Sequence, residues 1–311
     1  MDKKTFITGV TTGILLSVVA LKISPFTLVK SANFSFTLPR LPFMGQPTPT
    51  PESTSQVVAT NEVLPDQYNL GISFGDAIVK LVRSGAIDKN KFVNLYEGRN
   101  ALSEDQKKLL DEPSNTQIIV TQENAGLLLN LLWPLGIANK TNVLSQGPMG
   151  TQYKNEVGNF ASTGGWSLGK EEGGKLFNRF SIVSLSADQE ALVTEIAQNI
   201  YRPCCGNSTY FPDCNHGAAM LGFIELAVAQ GMPKDEIYQK ALVLNSYWFP
   251  QTYVELATYF KAKKNIAWNN VNPQEALGAN YSSGQGYSAV NKELQADGIL
   301  PKVKGGGSCG V

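Results

Sequence analysis

The chain lacks a surplus of charge of either sign. Lysine plus arginine equal aspartate plus glutamate at 26 each among 311 residues, and charged residues make up only 17%. Proteins that hold DNA or RNA by its phosphates carry a basic surplus, so we expect no nucleic-acid partner. The hydrophobic fraction of 42% excludes a chain that is disordered throughout, because disorder combines low hydrophobicity with high net charge.

The common catalytic fingerprints are also missing. The sequence contains no HExxH, Walker A or dinucleotide-binding motif, which removes support for a zinc protease, a P-loop hydrolase and a Rossmann dehydrogenase. A zinc deaminase needs His-x-Glu, but Gly217 and Ala218 follow the single histidine, His216. A Cys and His hydrolase is disfavoured because that histidine lies only two residues from its nearest thiol. An enzyme and a binding protein both stay open.

Long runs without a charged residue are few, and the longest lies at the N-terminus. Lys3 and Lys4 precede seventeen uncharged residues, 5–21. As a helix this run is roughly 25 Å long against a bilayer core of about 30 Å, and Lys22 can snorkel to close the gap. We predict a transmembrane signal-anchor over residues 1–24. It is favoured over a cleaved secretory signal because the candidate cleavage sites are poor.

Residues 25–60 form a predicted Pro/Thr-rich linker. The segment contains PTPTPEST and lacks apolar periodicity, as in semi-extended stalks. A stalk suits a domain held clear of a membrane, so we expect the membrane as a partner and the domain outside the cytoplasm. A cytoplasmic domain is the alternative, and it would keep the cysteines reduced.

Residues 61–301 are predicted to be a compact, mainly α multi-helix domain. Three predicted helices open with a serine followed three residues later by an acidic or amide residue: Ser73 and Asp76, Ser103 and Gln106, Ser186 and Gln189. The run after Thr121 is apolar nearly all round, which predicts a buried helix that ends or kinks before Pro134. The glycine-rich stretch 137–180 is either a wall or lid of a site or a surface excursion.

Three of the four cysteines and the only histidine fall within 13 residues. We term this set the thiol cluster: Cys204, Cys205, Cys214 and His216. Pro203, Gly206 and Pro212 predict a loop, and the apolar run after Gly217 predicts a helix. Cys214 and His216 are therefore expected at a helix N-terminus, where unpaired N–H groups and the helix dipole lower a thiol pKa.

Thiolates and an imidazole on one loop suit a soft or borderline metal ion, such as zinc, copper or a heavier thiophilic metal. The predicted ligands are the thiol cluster and Cys309, although adjacent cysteines match no standard zinc signature. Cys309 lies in a glycine-rich tail, residues 302–311, and eight residues beyond Pro301 can span about 27 Å. A stray terminal cysteine is the plainer interpretation of Cys309. Glu225, on the following apolar helix, is a candidate partner of His216 or of a bound ion, unless that position faces water.

Two alternatives use the same cysteines without a metal. A thiol-disulfide oxidoreductase would cycle a disulfide between this loop and the tail, with a thiol donor or acceptor protein as its partner. A structural or interaction domain would carry inert disulfides, since exported domains with an even cysteine count usually form them. Adjacent Cys204 and Cys205 could close only a strained disulfide ring.

Overall fold

The computed structural model describes residues 57–98 and 101–301. The predicted anchor, nearly all of the predicted linker, and the tail with Cys309 lie outside these ranges. None of the helices in the described ranges is long and apolar enough to cross a bilayer. Near the start of the first described range, Val58 is buried, and its backbone N–H donates to the Thr258 hydroxyl at 3.0 Å.

The described residues form a compact multi-helix fold with 57% helix and 8% strand, which confirms the mainly α prediction. The helices are α1 (Thr60–Val63), α2 (Ala77–Ser84), α3 (Lys89–Glu97), α4 (Glu104–Lys108), α5 (Ala125–Ala138), α6 (Asn142–Gln146), α7 (Gly173–Leu176), α8 (Ala187–Asn199), α9 (Asn215–Ala229), α10 (Lys234–Trp248), α11 (Pro250–Lys264), α12 (Pro273–Leu277), α13 (Ala279–Ser282) and α14 (Gly284–Ala296). The strands are β1 (Tyr68–Gly75) and β2 (Ser114–Val120), and short 3-10 helices span Lys154–Asn159 and Trp268–Asn270.

Helices α5 and α9 form the centre of the core. Both are apolar nearly all round, as the sequence predicts for a buried helix, and neighbouring elements cover most of their surface. Their axes approach closely at two glycines. A Cβ on Gly136 would lie 1.8 Å from the Ala218 carbonyl oxygen, and one on Gly222 would lie 2.4 Å from that of Leu132. Only glycine permits this separation, so the two positions fix how α9 sits against α5.

Helix α5 continues through Pro134 to Ala138. The prediction that this helix could end before Pro134 is therefore wrong. Proline lacks the N–H that would bond the carbonyl of Asn130, at a cost of roughly 3 kcal/mol in a helix interior. Leu135 and Ile137, beyond the proline, are 0% exposed. Burying two such side chains contributes about 3 to 6 kcal/mol, which offsets that cost.

Strand β1 was missed by the sequence reasoning, and Ser73 does not cap a helix. Ser73 lies in β1, which pairs antiparallel with β2 so that Ser73 stands opposite Gln117. Leu70, Ile72 and Phe74 alternate along β1 and are all buried. That alternation of period two was the available signal, but it covers only one short run.

The other two serine caps are confirmed. Ser103 and Ser186 each accept a bond from the backbone N–H three residues on, and each receives the reciprocal bond from the glutamine there. These boxes satisfy two otherwise unpaired donors at each helix start. Ser186 opens α8, whose C-terminal end leads into the loop that carries the thiol cluster.

Replacing Gly222 by alanine should destabilise the protein by about 1 to 3 kcal/mol, because the new methyl group would press on the α5 backbone. Gly126→Ala is the control on α5, since a Cβ there meets nothing within 4 Å. We expect Gly126→Ala to be neutral or stabilising by up to about 1 kcal/mol. Urea unfolding followed by circular dichroism measures both. Equal effects of the two substitutions would show that close approach of α5 and α9 is not required.

Candidate functional site

The loop between α8 and α9 brings the thiol cluster together. Cys214 is the N-cap of α9, and its sulfur accepts the backbone N–H of Gly217 at 3.4 Å, as expected for a thiol at a helix N-terminus. The sulfurs of Cys204 and Cys214 are 3.4 Å apart. All four members of the cluster are half-buried, so solvent and small ligands can reach them.

Cys214 is shared by two groups of potential metal ligands. In the first, the ligand atoms of Cys204, Cys214 and His216 all lie within 4.8 Å of one another. In the second, those of Cys205, Asp213 and Cys214 do so. Cys204 and Cys205 therefore belong to two different ligand groups that meet at the Cys214 sulfur.

A buried guanidinium holds this arrangement. Arg202 is 1% exposed, and its Nε donates to the Cys214 sulfur at 3.0 Å. Its two terminal nitrogens donate to the carbonyl oxygens of Asn207 and Phe211, at 2.9 and 3.0 Å. One of them also pairs with the carboxylate of Asp213. One side chain thus fixes both ends and the middle of the loop, and sequence reasoning assigned it no role.

The position of Arg202 depends on a glycine in the first turn of α9. A Cβ on Gly217 would lie 2.5 Å from the guanidinium carbon of Arg202. Asp213 is further held by the side-chain amide of Asn207, which donates to its second carboxylate oxygen at 2.8 Å. One oxygen of the Asp213 carboxylate therefore faces both Arg202 and the Cys205 sulfur, which is 3.8 Å away, while the other oxygen faces Asn207.

The three thiols differ strongly in acidity. Contact with the thiols of Cys204 and Cys205, followed by the charge of Arg202, lowers the pKa of Cys214 well below its ordinary value of 9.0. The pKa of Cys204 is raised, because Cys205 and Cys214 both stabilise its protonated form and burial adds to this. Cys204 lowers the pKa of Cys205, but Cys214 and burial outweigh it and raise that pKa to about 11. Cys214 is thus the most acidic of the three thiols.

The ring of His216, the third member of the first ligand group, packs against two aromatic side chains. Its ring lies 4.4 Å from the Phe249 ring and 5.9 Å from the Trp248 ring, measured between centroids. Both aromatic residues are at the junction of α10 and α11, so the imidazole is packed between that junction and the cluster. This packing limits the rotation of the ring.

The glycine-rich stretch forms a wall beside the cluster loop. Within residues 137–180, the rings of Tyr153 and Phe160 pack on Phe211, with Tyr153 stacked at 5.4 Å and Phe160 edge-on at 5.3 Å. The backbone N–H of Ser162 donates to the Asp213 carbonyl at 3.0 Å. These contacts support residues 211–213 from outside and agree with the interpretation of the stretch as a wall.

Glu225 belongs to a separate buried pair and not to the cluster. It is 0% exposed, so the interpretation as a water-facing position is wrong. Its carboxylate accepts from the amide of Asn139 at 3.0 Å, and its other oxygen has no partner in the structure. Burial raises the pKa of Glu225 well above its ordinary value, because the charged form would lose its hydration.

Cys309 lies outside the described residues. Cys204, Cys205 and Cys214 are unpaired in the structure, and the 3.4 Å between the sulfurs of Cys204 and Cys214 exceeds the bond length of about 2.05 Å.

Alkylation by iodoacetamide should distinguish the thiols by pH. Cys214 should reach its full reactivity at a lower pH than the other two thiols, because its pKa is lowered well below its ordinary value. Cys205, whose pKa is about 11, should become steadily more reactive as the pH is raised towards that value. Arg202→Met should move the Cys214 profile to higher pH. Peptide mapping by mass spectrometry reports each site, and coincident profiles for Cys214 and Cys205 would contradict the assignment.

Glu225→Gln should stabilise the protein more at neutral than at acidic pH. The raised pKa means that the unfolded chain releases a proton that the folded chain keeps, so the parent loses stability as pH rises above about 4.5. The difference between variant and parent should grow by about 1.4 kcal/mol per pH unit until the raised pKa is reached. Urea unfolding over a pH series measures it. A difference independent of pH would show that Glu225 folds as a carboxylate.

Comparison with protein-family models, with curated proteins and with solved structures finds no match to this chain. The function of the site therefore has to be argued from its own geometry and charge.

Proposed function

We propose that this chain captures a soft or borderline metal ion at Cys204, Cys214 and His216, with Cys205 as an additional sulfur donor. The observation that carries the proposal is that Cys214 is shared by two ligand groups, with two further thiols and an imidazole around it. Sulfur and imidazole donors in this number favour zinc, copper or a heavier thiophilic ion over hard cations such as calcium.

The spacing of the donors supports ion binding with little rearrangement. In a tetrahedral site with metal–sulfur bonds of about 2.3 Å, donors stand roughly 3.7 Å apart. The sulfurs of Cys204 and Cys214 are 3.4 Å apart, so they need to separate by only a few tenths of an ångström.

The charge of the site also supports a cation. Binding requires the thiols of Cys204 and Cys205 to lose their protons, and three thiolates around a divalent ion leave one net negative charge. The guanidinium of Arg202 already donates to the Cys214 sulfur and would offset that charge. Arg202 would thus act as the hydrogen-bonding partner that orients a metal-bound sulfur.

Access distinguishes this proposal from a structural zinc site. The cluster is half-buried, and the fold around it consists of large helices with their own apolar core. An ion at this position is not required to hold the domain together and is free to exchange. We therefore propose reversible capture, with a metal-donating or metal-accepting protein as the partner.

The location of the protein is part of the same proposal. The uncharged run from Thr5 to Leu21 and the Pro/Thr-rich stalk support a membrane-anchored protein whose domain stands outside the cytoplasm. In such a position the cluster would meet ions before they reach the membrane.

Thiol-disulfide exchange is the second candidate, and one observation favours it. The sulfur of Cys214, whose pKa is lowered, lies 3.4 Å from the Cys204 sulfur. The thiolate would attack a disulfide of a partner protein, and Cys204 would then displace the partner. The partner would leave with both sulfurs reduced by two electrons from Cys204 and Cys214; the Cys204 thiol supplies one proton and solvent the other.

Native mass spectrometry of the reduced chain, titrated anaerobically with Zn²⁺ or Cu⁺, tests the proposal. The parent should retain a bound ion, and Cys214→Ser should lose it, because that substitution removes the donor common to both groups. His216→Ala should weaken binding by at least about tenfold. Ser208→Ala is the control in the same loop, since Ser208 belongs to neither ligand group, and it should bind like the parent.

Affinity should rise with pH, because Cys204 and Cys205 must be deprotonated to bind. A reduced parent that retains no ion would contradict metal capture. An untreated protein that is two hydrogens lighter, through a Cys204–Cys214 bond that glutathione readily reduces, would favour the exchange reaction instead. A bond that resists reduction would indicate a structural disulfide.

A further inference from the structure

The Cys214 sulfur differs from the other two sulfurs of the cluster because N–H groups face it. The Nε–H of Arg202 donates to it at 3.0 Å, and the backbone N–H of Gly217 does so at 3.4 Å. Arg202 is 1% exposed, so little water competes for these contacts. Hydrogen bonds of this kind stabilise negative charge on sulfur, and the thiolate is the nucleophilic form of cysteine.

The Cys205 sulfur lies among hydrogen-bond acceptors instead. It is 3.9 Å from the Asn207 carbonyl oxygen and 3.8 Å from a carboxylate oxygen of Asp213. Such neighbours favour a sulfur that keeps its proton. Two sulfurs of one loop therefore have opposite surroundings, and Cys214 is the one placed to attack an electrophile.

A second thiol lies close to any product that forms on Cys214. The Cys204 sulfur is 3.4 Å away, so the two sulfurs have to approach by roughly 1.3 Å to form a bond of about 2.05 Å. The loop that joins them is held at the carbonyls of Asn207 and Phe211 by the same guanidinium. An oxidised Cys214 would therefore meet the Cys204 thiol before it met a second molecule of oxidant.

The exposure of the two sulfurs suits a very small oxidant. Cys204 and Cys214 are both half-buried and unpaired in the structure. Hydrogen peroxide is only slightly larger than water, so it can reach a sulfur that is partly open to solvent. A nucleophilic, accessible cysteine beside a thiol that can resolve its oxidised form is the arrangement found in cysteines that react with oxidants.

We propose that the metal-free cluster reduces hydrogen peroxide, with Cys214 as the attacking sulfur and Cys204 as the resolving thiol. This activity is additional to the proposed metal capture. It also differs from thiol-disulfide exchange, because the oxidant is an oxygen–oxygen bond and not the disulfide of a partner protein.

The reaction proceeds in balanced steps. The Cys214 thiolate attacks one oxygen of hydrogen peroxide, the oxygen–oxygen bond breaks, and the products are a sulfenic acid and a hydroxide that takes a proton from solvent. The Cys204 sulfur then attacks the Cys214 sulfur, and the hydroxyl group leaves as water with the Cys204 proton. Two molecules of a small thiol reduce the resulting disulfide and become a disulfide themselves. Cys204 regains its proton, and Cys214 returns as the thiolate with one proton released to solvent.

The rate of hydrogen peroxide consumption by the full chain, reduced and in mild detergent, tests the proposal. A chelator keeps the protein free of metal, and every chain carries Cys309→Ser so that only the loop thiols react. This reference chain should react at least about tenfold faster than the same chain with Cys214→Ser, because the larger thiolate fraction of Cys214 outweighs the lower nucleophilicity of a stabilised thiolate. Ser208→Ala is the control in the same loop and should react like the reference chain, since Ser208 belongs to neither ligand group.

Further measurements identify the sulfurs. After treatment with one equivalent of peroxide, the reference chain should be two hydrogens lighter, and digestion before Asp213 with mass spectrometry should locate the bond between Cys204 and Cys214. The double substitution Cys204→Ser and Cys205→Ser removes both neighbouring thiols, so dimedone should trap a sulfenic acid at Cys214. Unfolding the reference chain in urea should abolish its advantage over Cys214→Ser, because the hydrogen bonds to the sulfur are then lost.

The outcomes test each part of the proposal. Equal rates in the folded reference chain and in Cys214→Ser overturn the activity. Oxygen added to Cys214 without a disulfide, or a bond from Cys214 to Cys205, overturns the role of Cys204. The absence of a dimedone adduct in the double variant overturns attack by Cys214. Metal capture is decided separately, because the rates are measured without metal and a chain that binds no ion can still reduce peroxide.

Discussion

The structure of the site depends on one buried cation. The guanidinium of Arg202 bonds the Cys214 sulfur, two backbone carbonyls of the loop and the Asp213 carboxylate. Removing a charge from water is costly unless it is paired, so its burial requires an anion beside it, and the thiolate and carboxylate supply that anion. The same contacts that neutralise Arg202 therefore shape the loop and favour the ionised form of Cys214. Loop geometry and thiol acidity are two results of a single interaction.

This cation is placed by the packing of the two central helices. Gly136 and Gly222 allow α9 to lie directly against α5, and Gly217 leaves room for the guanidinium above the first turn of α9. The N-terminus of α9 is therefore held at a fixed position relative to α5, with Cys214 as its N-cap. Because the core supplies this position without help from an ion, the proposed capture of an ion would not be needed for folding. That separation of stability from binding is what a capture site needs, whereas a small zinc domain depends on its metal to fold.

Much of the helical framework was predictable because its signals are local. The capping boxes at Ser103 and Ser186 act within one turn, and the apolar character of α5 and α9 requires only that they be buried. The sequence-based predictions were wrong where contacts between distant parts of the chain determine the local structure. Helix α5 continues through Pro134 because α9 and other elements bury the residues beyond it. Ser73 lies in a strand because β2 pairs with it. Neither partner is visible in a window of a few residues.

For the site, the sequence by itself determined which donors are available and that Cys214 begins a helix. It did so because the cysteines and His216 are adjacent in the chain and because the apolar run after them has a clear start. Only the tertiary structure decided that Cys204 and Cys205 join different ligand groups around Cys214, that Arg202 is the charge beside it, and that Glu225 pairs with Asn139 instead. These outcomes depend on burial and on contacts between residues far apart in sequence. The energy of a charge or a thiolate is set by its surroundings in space, which residue order alone does not specify.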